Sequence, residues 1–332
     1  MQANPKITHR KGKRMLHSVF LKWLDEPRLL AIYAIVAFLL TAIALRIDFR
    51  FLPKDQGRPN AVNGELSKGK TRGVGFLMMV CFVLCVTLFL PFRVESMLYV
   101  LILIAEMLAG FLDDASKIPW SDYKKGLIDF VLSAGVAVIF VLSDSTTILF
   151  GTHAVTLHPV LYAVLATVLV WMSINAVNCT DGVDSLSSSV GVVSIASMLL
   201  IYKTAFDTEY MGFGVLFLAV LAAYLLFNAG PSSCLMGDAG SRPLGVLLAI
   251  LAMKSRHPLC YLLVCAVFLA DGLLGLIKIF LLRFFKIGIL KKIRTPLHDE
   301  MRKNRGWSDT QVVIRFTIIQ VVCSVIWYIT SL

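Results

Sequence analysis

Four acid-bearing segments sit where apolar stretches of the chain end: Phe111-Leu-Asp-Asp114, Asn175-Ala-Val-Asn-Cys-Thr-Asp-Gly-Val-Asp184, Met236-Gly-Asp-Ala-Gly-Ser241 and Pro296-Leu-His-Asp-Glu300. Carboxylates gathered at a bilayer surface are the groups that hold a divalent cation through oxygen and manage phosphate charge. Asp113 and Asp114 follow Ala109-Gly-Phe-Leu112, an embedded setting in which an unpaired carboxylate is costly. Lys117, Lys124 and Lys125 lie close enough in sequence to neutralise them or to hold a phosphate. Asn175, Asn178, Asp181 and Asp184 recur in steps of three, so one face of a helical turn can present them together. Amides and carboxylates at that spacing suit Mg²⁺ and its waters. A helix cap at Thr180 or Asp181 would explain one of these residues but not four.

Asp238 stands between glycines just ahead of an apolar run, where a helix N-terminus offers free N–H groups to an anion. An aspartate N-cap with turn glycines is the plainer account of the same residues. His298, Asp299 and Glu300 share a basic loop with Arg294, Arg302, Lys303, Arg305 and Trp307, and an exposed loop explains them as well as a site does. Glu106, Asp271 and Lys278 fall inside apolar runs and need partners. Asp271 and Lys278 are seven apart, hence on one helix face, and are expected to form a structural ion pair.

The elements that position these residues follow from composition. Of 332 residues 58% are hydrophobic and only 16% charged, with a mean hydropathy of +0.78. A soluble domain carries about 25% charged residues. The apolar runs are continuous rather than alternating, which favours helices over strands in lipid. The expected fold class is all-α, a polytopic membrane protein with about ten transmembrane helices. The spans are expected near 29–46, 74–92, 96–111, 126–143, 157–175, 186–202, 211–228, 244–256, 259–285 and 312–331. The eighth is short, and the ninth is long enough to be tilted or broken. Residues 1–28 form a basic N-terminal segment suited to a bilayer surface, and residues 29–332 form the membrane domain.

Alternation places all four acidic segments on one face. The connections on that face carry 18 Lys and Arg, against 11 on the other, so the positive-inside rule makes the motif face cytoplasmic. The net charge of +11 fits lipid phosphates or a polyanionic soluble substrate, and no nucleic-acid motif accompanies it. The seven cysteines include no Cys-x-x-Cys pair and read as small buried hydrophobes. A transporter would place its acids near mid-membrane within inverted repeats. Here they cluster at one interface, which favours an enzyme.

Together, and in this order at the span ends, the motifs resemble the polyprenyl-phosphate N-acetylhexosamine-1-phosphate transferase superfamily, and within it the MraY branch of phospho-N-acetylmuramoyl-pentapeptide transferases. The likeness runs from about Ser67 to Arg315. Pro296-Leu-His298, Gly306-Trp307 and Val313-Ile-Arg-Phe316 carry the branch assignment. The resemblance implies a ten-helix fold and transfer of a phospho-sugar from a UDP-sugar to undecaprenyl phosphate, with release of UMP and a need for Mg²⁺. The donor implied is UDP-MurNAc-pentapeptide, with UDP-GlcNAc or another UDP-sugar in a sister pathway as the alternative. A bacterial plasma-membrane location and a homodimer are implied as well. Residue by residue, Asp113 and Asp114 match acids near the lipid phosphate, with Asp113 a candidate base. Asp181 matches a catalytic or metal-proximal acid with Asp184 and Asn178 as neighbours, and Asp238 matches the Mg²⁺ ligand. Lys125 and His298 match a lysine and the first histidine of the family pattern. Three departures stand out. His298-Asp299-Glu300 replaces three consecutive histidines, Leu235 replaces a phenylalanine that stacks on uracil, and Lys68-Gly-Lys-Thr-Arg-Gly-Val-Gly75 is a reduced form of a lysine-led loop. Lys68 and Lys70 are both candidates for that loop's lysine.

Overall fold

The structure, a computed structural model, describes residues 24–47, 50–57, 67–91, 93–116, 118–150 and 153–331. Lys117 and most of the basic segment 1–28 lie outside the described residues. The helices are α1 (Glu26–Arg46), α2 (Gly75–Phe89), α3 (Val94–Asp114), α4 (Asp122–Ser143), α5 (Pro159–Thr180), α6 (Leu186–Ile201), α7 (Thr208–Asn228) and α8 (Asp238–Lys254). A bent pair follows, α9 (Pro258–Val264) and α10 (Ala266–Phe285), then α11 (Leu297–Lys303) and α12 (Asp309–Ser331). A two-stranded antiparallel hairpin, β1 (Thr147–Phe150) and β2 (His153–Thr156), joins α4 to α5.

Each of the ten expected spans falls on helix, but fewer than ten helices are spans by themselves. Among the described residues six are long and apolar enough to cross a bilayer, or seven if the bent pair counts as one. The 15-residue α2 and 16-residue α6 are too short at ~1.5 Å per residue to bridge a ~30 Å core. Both are only partly covered by neighbouring helices, with Leu84 and Leu88 of α2 and Leu200 of α6 exposed. By contrast, all 17 residues of α8 are buried, with α2, α3, α5, α6 and α7 packed around it. The outer helices show the reverse pattern. Ile35 and Ile43 of α1 and Ile329 of α12 are about 60% exposed, the apolar surface that faces acyl chains.

The long ninth run is broken, with its two halves meeting at 71°. Residues Leu269–Leu273, just past the bend, adopt π-helical geometry, which turns Asp271 out of register with the α-helix that follows. The expected Asp271–Lys278 pair does not form. Asp271 turns to His298, while Lys278 donates to the Ile293 carbonyl at 2.8 Å.

Charged residues close the end of the bundle opposite the acidic motifs. Lys254, at the C-terminus of α8, pairs with Glu95 and with Asp144 at 3.0 Å, a favourable place for a cation against the helix dipole. Arg93 binds Asp207 and Glu209 and so ties α3 to α7. Five of the seven cysteines are buried.

Candidate active site

The motif end of the bundle is built around the N-terminus of α8. Gly110 of α3 lies so close to this turn that a Cβ there would stand 2.4 Å from the Asp238 carbonyl carbon. The glycine therefore lets the Asp113-Asp114 end of α3 lie directly against Asp238. Gly237, with φ of +65°, gives the turn that leads into the helix. The loop 67–75 then zips onto the strand-like segment 234–236: Leu235 N–H donates to the Thr71 carbonyl at 2.8 Å, and Gly75 N–H to Met236 at 3.1 Å.

That zip delivers Arg72 to the centre of the acids. Its guanidinium bonds Asp114 at 2.9 Å and lies 3.4 Å from Asp55 and 3.6 Å from Asp238. Burial works to lower the Arg72 pKa, but Asp114, Asp238, Asp55 and Asp181 together outweigh it and raise it. Lys125 pairs with Asp113 and stands 3.9 Å from Asp238, while the Trp120 N–H donates to Asp113 at 2.8 Å. Lys124 sits 3.3 Å over the Trp120 ring and does not serve the acids.

The three-residue repeat in the 175–184 segment does not stay on one helix face. The helix ends at Thr180, and Asp181 is its C-cap. Asn178 donates to Ser241 at 2.9 Å, Asp181 accepts from Ser187, and Asp184 pairs with Lys70 at 3.2 Å. Asn175 turns away from them and donates to the Trp171 carbonyl at 2.9 Å. Of the two candidate lysines, Lys70 reaches into this cluster, and Lys68 is exposed on the turn.

The turn after α5 is locked by Asn228, which accepts from Ser185 N–H at 2.7 Å and donates to the Cys234 carbonyl at 2.9 Å. Asn228→Ala leaves both buried backbone groups without a partner and is expected to cost about 2–3 kcal/mol, read as a lower melting temperature in detergent.

These residues surround one cleft of about 1040 Å³. Lys70, Arg72, Asn178, Asp181, Asp184, Leu235, Asp238, His298 and Asp299 line it, so three of the four acidic segments meet there. Asp113 and Asp114 lie just behind, joined to it through Lys125 and Arg72. Leu235 presents no aromatic face to the cleft.

His298 enters from α11. Its backbone N–H and its Nδ1 both face Asp271, at 2.7 and 2.8 Å. A carboxylate in that position keeps the proton on Nδ1, so Nε2, 3.8 Å from the Asp299 carboxylate, is the unprotonated nitrogen. Nε2 lies against Gly182, the residue after Asp181, where a Cβ would stand 2.5 Å from it. Asp299 stands 3.6 Å from Arg294 and 3.5 Å from Arg302. Glu300 faces the loop instead, accepting from Arg294 N–H at 2.8 Å and from Asn304 at 2.6 Å. The Arg294 N–H holds its carboxyl below the usual carboxylate range.

Arg72, Asp55 and Asp271 do not stand out in the sequence as members of a site. A charged residue within the glycine-rich 67–75 loop was the only signal for Arg72. If His298 handles a proton, Asp271→Asn offers Nδ1 a donor in place of an acceptor and favours the wrong tautomer. Turnover is expected to fall by about 10²-fold, measured as product release per folded enzyme.

Comparison with known proteins decides the family. The profile of Glycosyl transferase family 4 matches residues 96–256. The chain is 37% identical over 312 residues to the phospho-N-acetylmuramoyl-pentapeptide-transferase of Treponema pallidum (strain Nichols), which covers 88% of this chain and 85% of the relative. The chain belongs to the phospho-N-acetylmuramoyl-pentapeptide-transferase family. Other transferases of that name, from Wolbachia of Brugia malayi and from Dictyoglomus thermophilum, are 31% and 28% identical over 70% and 88% of this chain, and those matches cover 75% and 96% of the relatives. The family match spans α3 to α8, so it contains Asp113, Asp114, the 175–184 turn and Asp238. In this member of the transferase family, the 67–75 loop and α11 close the cleft from outside the matched region.

Proposed function

We propose that the protein transfers phospho-MurNAc-pentapeptide from UDP-MurNAc-pentapeptide to undecaprenyl phosphate and releases UMP, at the cytoplasmic face of a bacterial plasma membrane. The observation that carries this is the cleft itself. Six carboxylates, Asp181, Asp184 and Asp238 among them, and three cations, Lys70, Arg72 and Arg302, line one opening at one end of a membrane bundle. That is where a soluble nucleotide diphosphate and a lipid phosphate can meet. The surplus of Lys and Arg on this face supports the cytoplasmic orientation.

The donor set fits Mg²⁺. Among the described residues no three His, Cys, Asp or Glu gather tightly enough to enclose an ion alone. Mg²⁺ asks for less, since one or two carboxylates suffice where waters and substrate phosphates complete the shell. Asp181 and Asp238 line the cleft and would hold it. Bound there, the ion supplies charge neutralisation for the diphosphate and the leaving UMP.

The chain's own residues do the rest. Lys70 and Arg72 offer cationic contacts to the donor phosphates, exchanging part of their pairing with Asp184 and Asp238 for them. Lys125, between Asp113 and Asp238, is the cation an acceptor phosphate meets on entering from the lipid side. Asp113, paired with Lys125, would keep that acceptor phosphate ionised. The Asp271-oriented Nε2 of His298 can accept or return a proton near Asp181.

The test is UMP release by purified protein in detergent with Mg²⁺ and undecaprenyl phosphate. UDP-MurNAc-pentapeptide and UDP-GlcNAc are compared side by side. Release with the pentapeptide donor supports the proposal. Release with UDP-GlcNAc alone moves the chain to a sister pathway, and Leu235 and Asp299 in the cleft become the first residues to explain it.

A further inference from the structure

Behind Asp238, on the side away from the cleft, lies a charge cluster that none of these roles uses. Arg242 is one turn further along α8, and its side chain is 3% exposed. Its Nε stands 3.5 Å from the Asp238 carboxylate. Its Nη1 donates to Asp129 of α4 at 2.9 Å and lies 3.8 Å from Glu106 of α3. Asp129 and Glu106 are as deeply buried as the arginine. Neither carboxylate oxygen of Glu106 has a hydrogen-bond partner among the described residues.

An arginine at this depth is costly unless carboxylates surround it, and α3 and α4 each supply one. Asp238 has three cationic neighbours, but they are not equivalent. Arg72 and Lys125 are 20% and 26% exposed, so a substrate phosphate can compete with Asp238 for them. Arg242 does not line the cleft and is the buried one of the three.

We propose that Arg242 is a positioning residue for Asp238. Anchored from the bundle interior by Asp129 and Glu106, it fixes the direction in which the Asp238 carboxylate faces the cleft. The proposal rests on the transferase function above. A helix clamp with no part in the reaction would use the same contacts, so the test must separate rate from stability.

The experiment compares the full-length protein in detergent as wild type, Arg242→Leu, Arg242→Lys, Asp129→Asn and the Arg242→Leu/Asp129→Asn double variant. Melting temperature, kcat and donor KM are measured for each. Positioning predicts a kcat about 30- to 100-fold lower in Arg242→Leu, the scale of a misplaced reacting group. Donor KM stays within about twofold, because ground-state binding is not what is lost. Arg242→Lys recovers most of the rate. Asp129→Asn lowers kcat by less, and the double variant is no slower than Arg242→Leu, since Asp129 acts through the arginine. A wild-type kcat in Arg242→Leu, at whatever melting temperature, overturns the proposal and leaves only a clamp. If Arg242→Leu does not fold, Asp129→Asn decides, and an unchanged kcat there overturns it equally. Absence of turnover in the wild type with either donor overturns the functional reading instead, and this proposal with it.

Discussion

Asp238→Asn is expected to lower UMP release by about a thousandfold or more, and raising Mg²⁺ should not restore it. The substitution is nearly isosteric and sits at the first residue of α8, so the close packing of Gly110 against that turn survives. What disappears is the charge. Arg72, Arg242 and Lys125, at 3.6, 3.5 and 3.9 Å, lose their common counter-ion, and the proposed Mg²⁺ site loses one of its two carboxylates. The two losses differ in sign at the donor. More net positive charge in the cleft favours a nucleotide diphosphate, so donor affinity should hold or improve while kcat collapses. A Mg²⁺ titration of initial rates, with donor binding measured separately, checks both halves. Wild-type rates in Asp238→Asn would remove this residue from the metal role, whatever happened to binding.

How much of this could be read from the chain alone depends on what kind of signal each residue leaves. Asp113, Asp114, Asp181, Asp184 and Asp238 are visible because each breaks a hydrophobic run at its end, and alternation of the runs then collects them on one face. Asp238 is marked further by flanking glycines whose close contacts the structure explains. Arg242 and Asp129 leave no comparable mark. They are 113 residues apart, each a charge within its own helix, and only the packing of α8 against its neighbours makes them a pair. Asp271 was legible as an embedded acid needing a partner, but its partner was not. The seven-residue spacing to Lys278 assumes a regular α-helix, and the π-helical geometry at 269–273 breaks that assumption. The same reasoning explains the spans. Hydropathy finds every apolar helix, yet it cannot tell one that meets lipid from α8, which meets only protein.

Arg72→Met carries the second large effect, and it tests whether one cation organises the acids. The guanidinium serves Asp114, Asp55 and Asp238 at once, and the Asp114 and Asp55 side chains are 0% and 4% exposed. Removing one partner of a buried ion group leaves charge without compensation, at a cost of about 3 kcal/mol or more. A marked drop in melting temperature is therefore expected. Turnover should fall by about 10²–10³-fold, because the same group faces the phosphates in the cleft. Arg72→Lys is expected to fall between the two, since a compact ammonium cannot reach three carboxylates in the fork geometry of a guanidinium. The double variant Arg72→Met/Asp55→Asn separates the roles. Neutralising Asp55 should return part of the lost stability, because one buried charge fewer needs a partner. It should not return the rate, because no cation then faces the donor phosphates from that side. If rate and stability recover together, Arg72 only balances charge, and Lys70 and Lys125 must hold the phosphates without it.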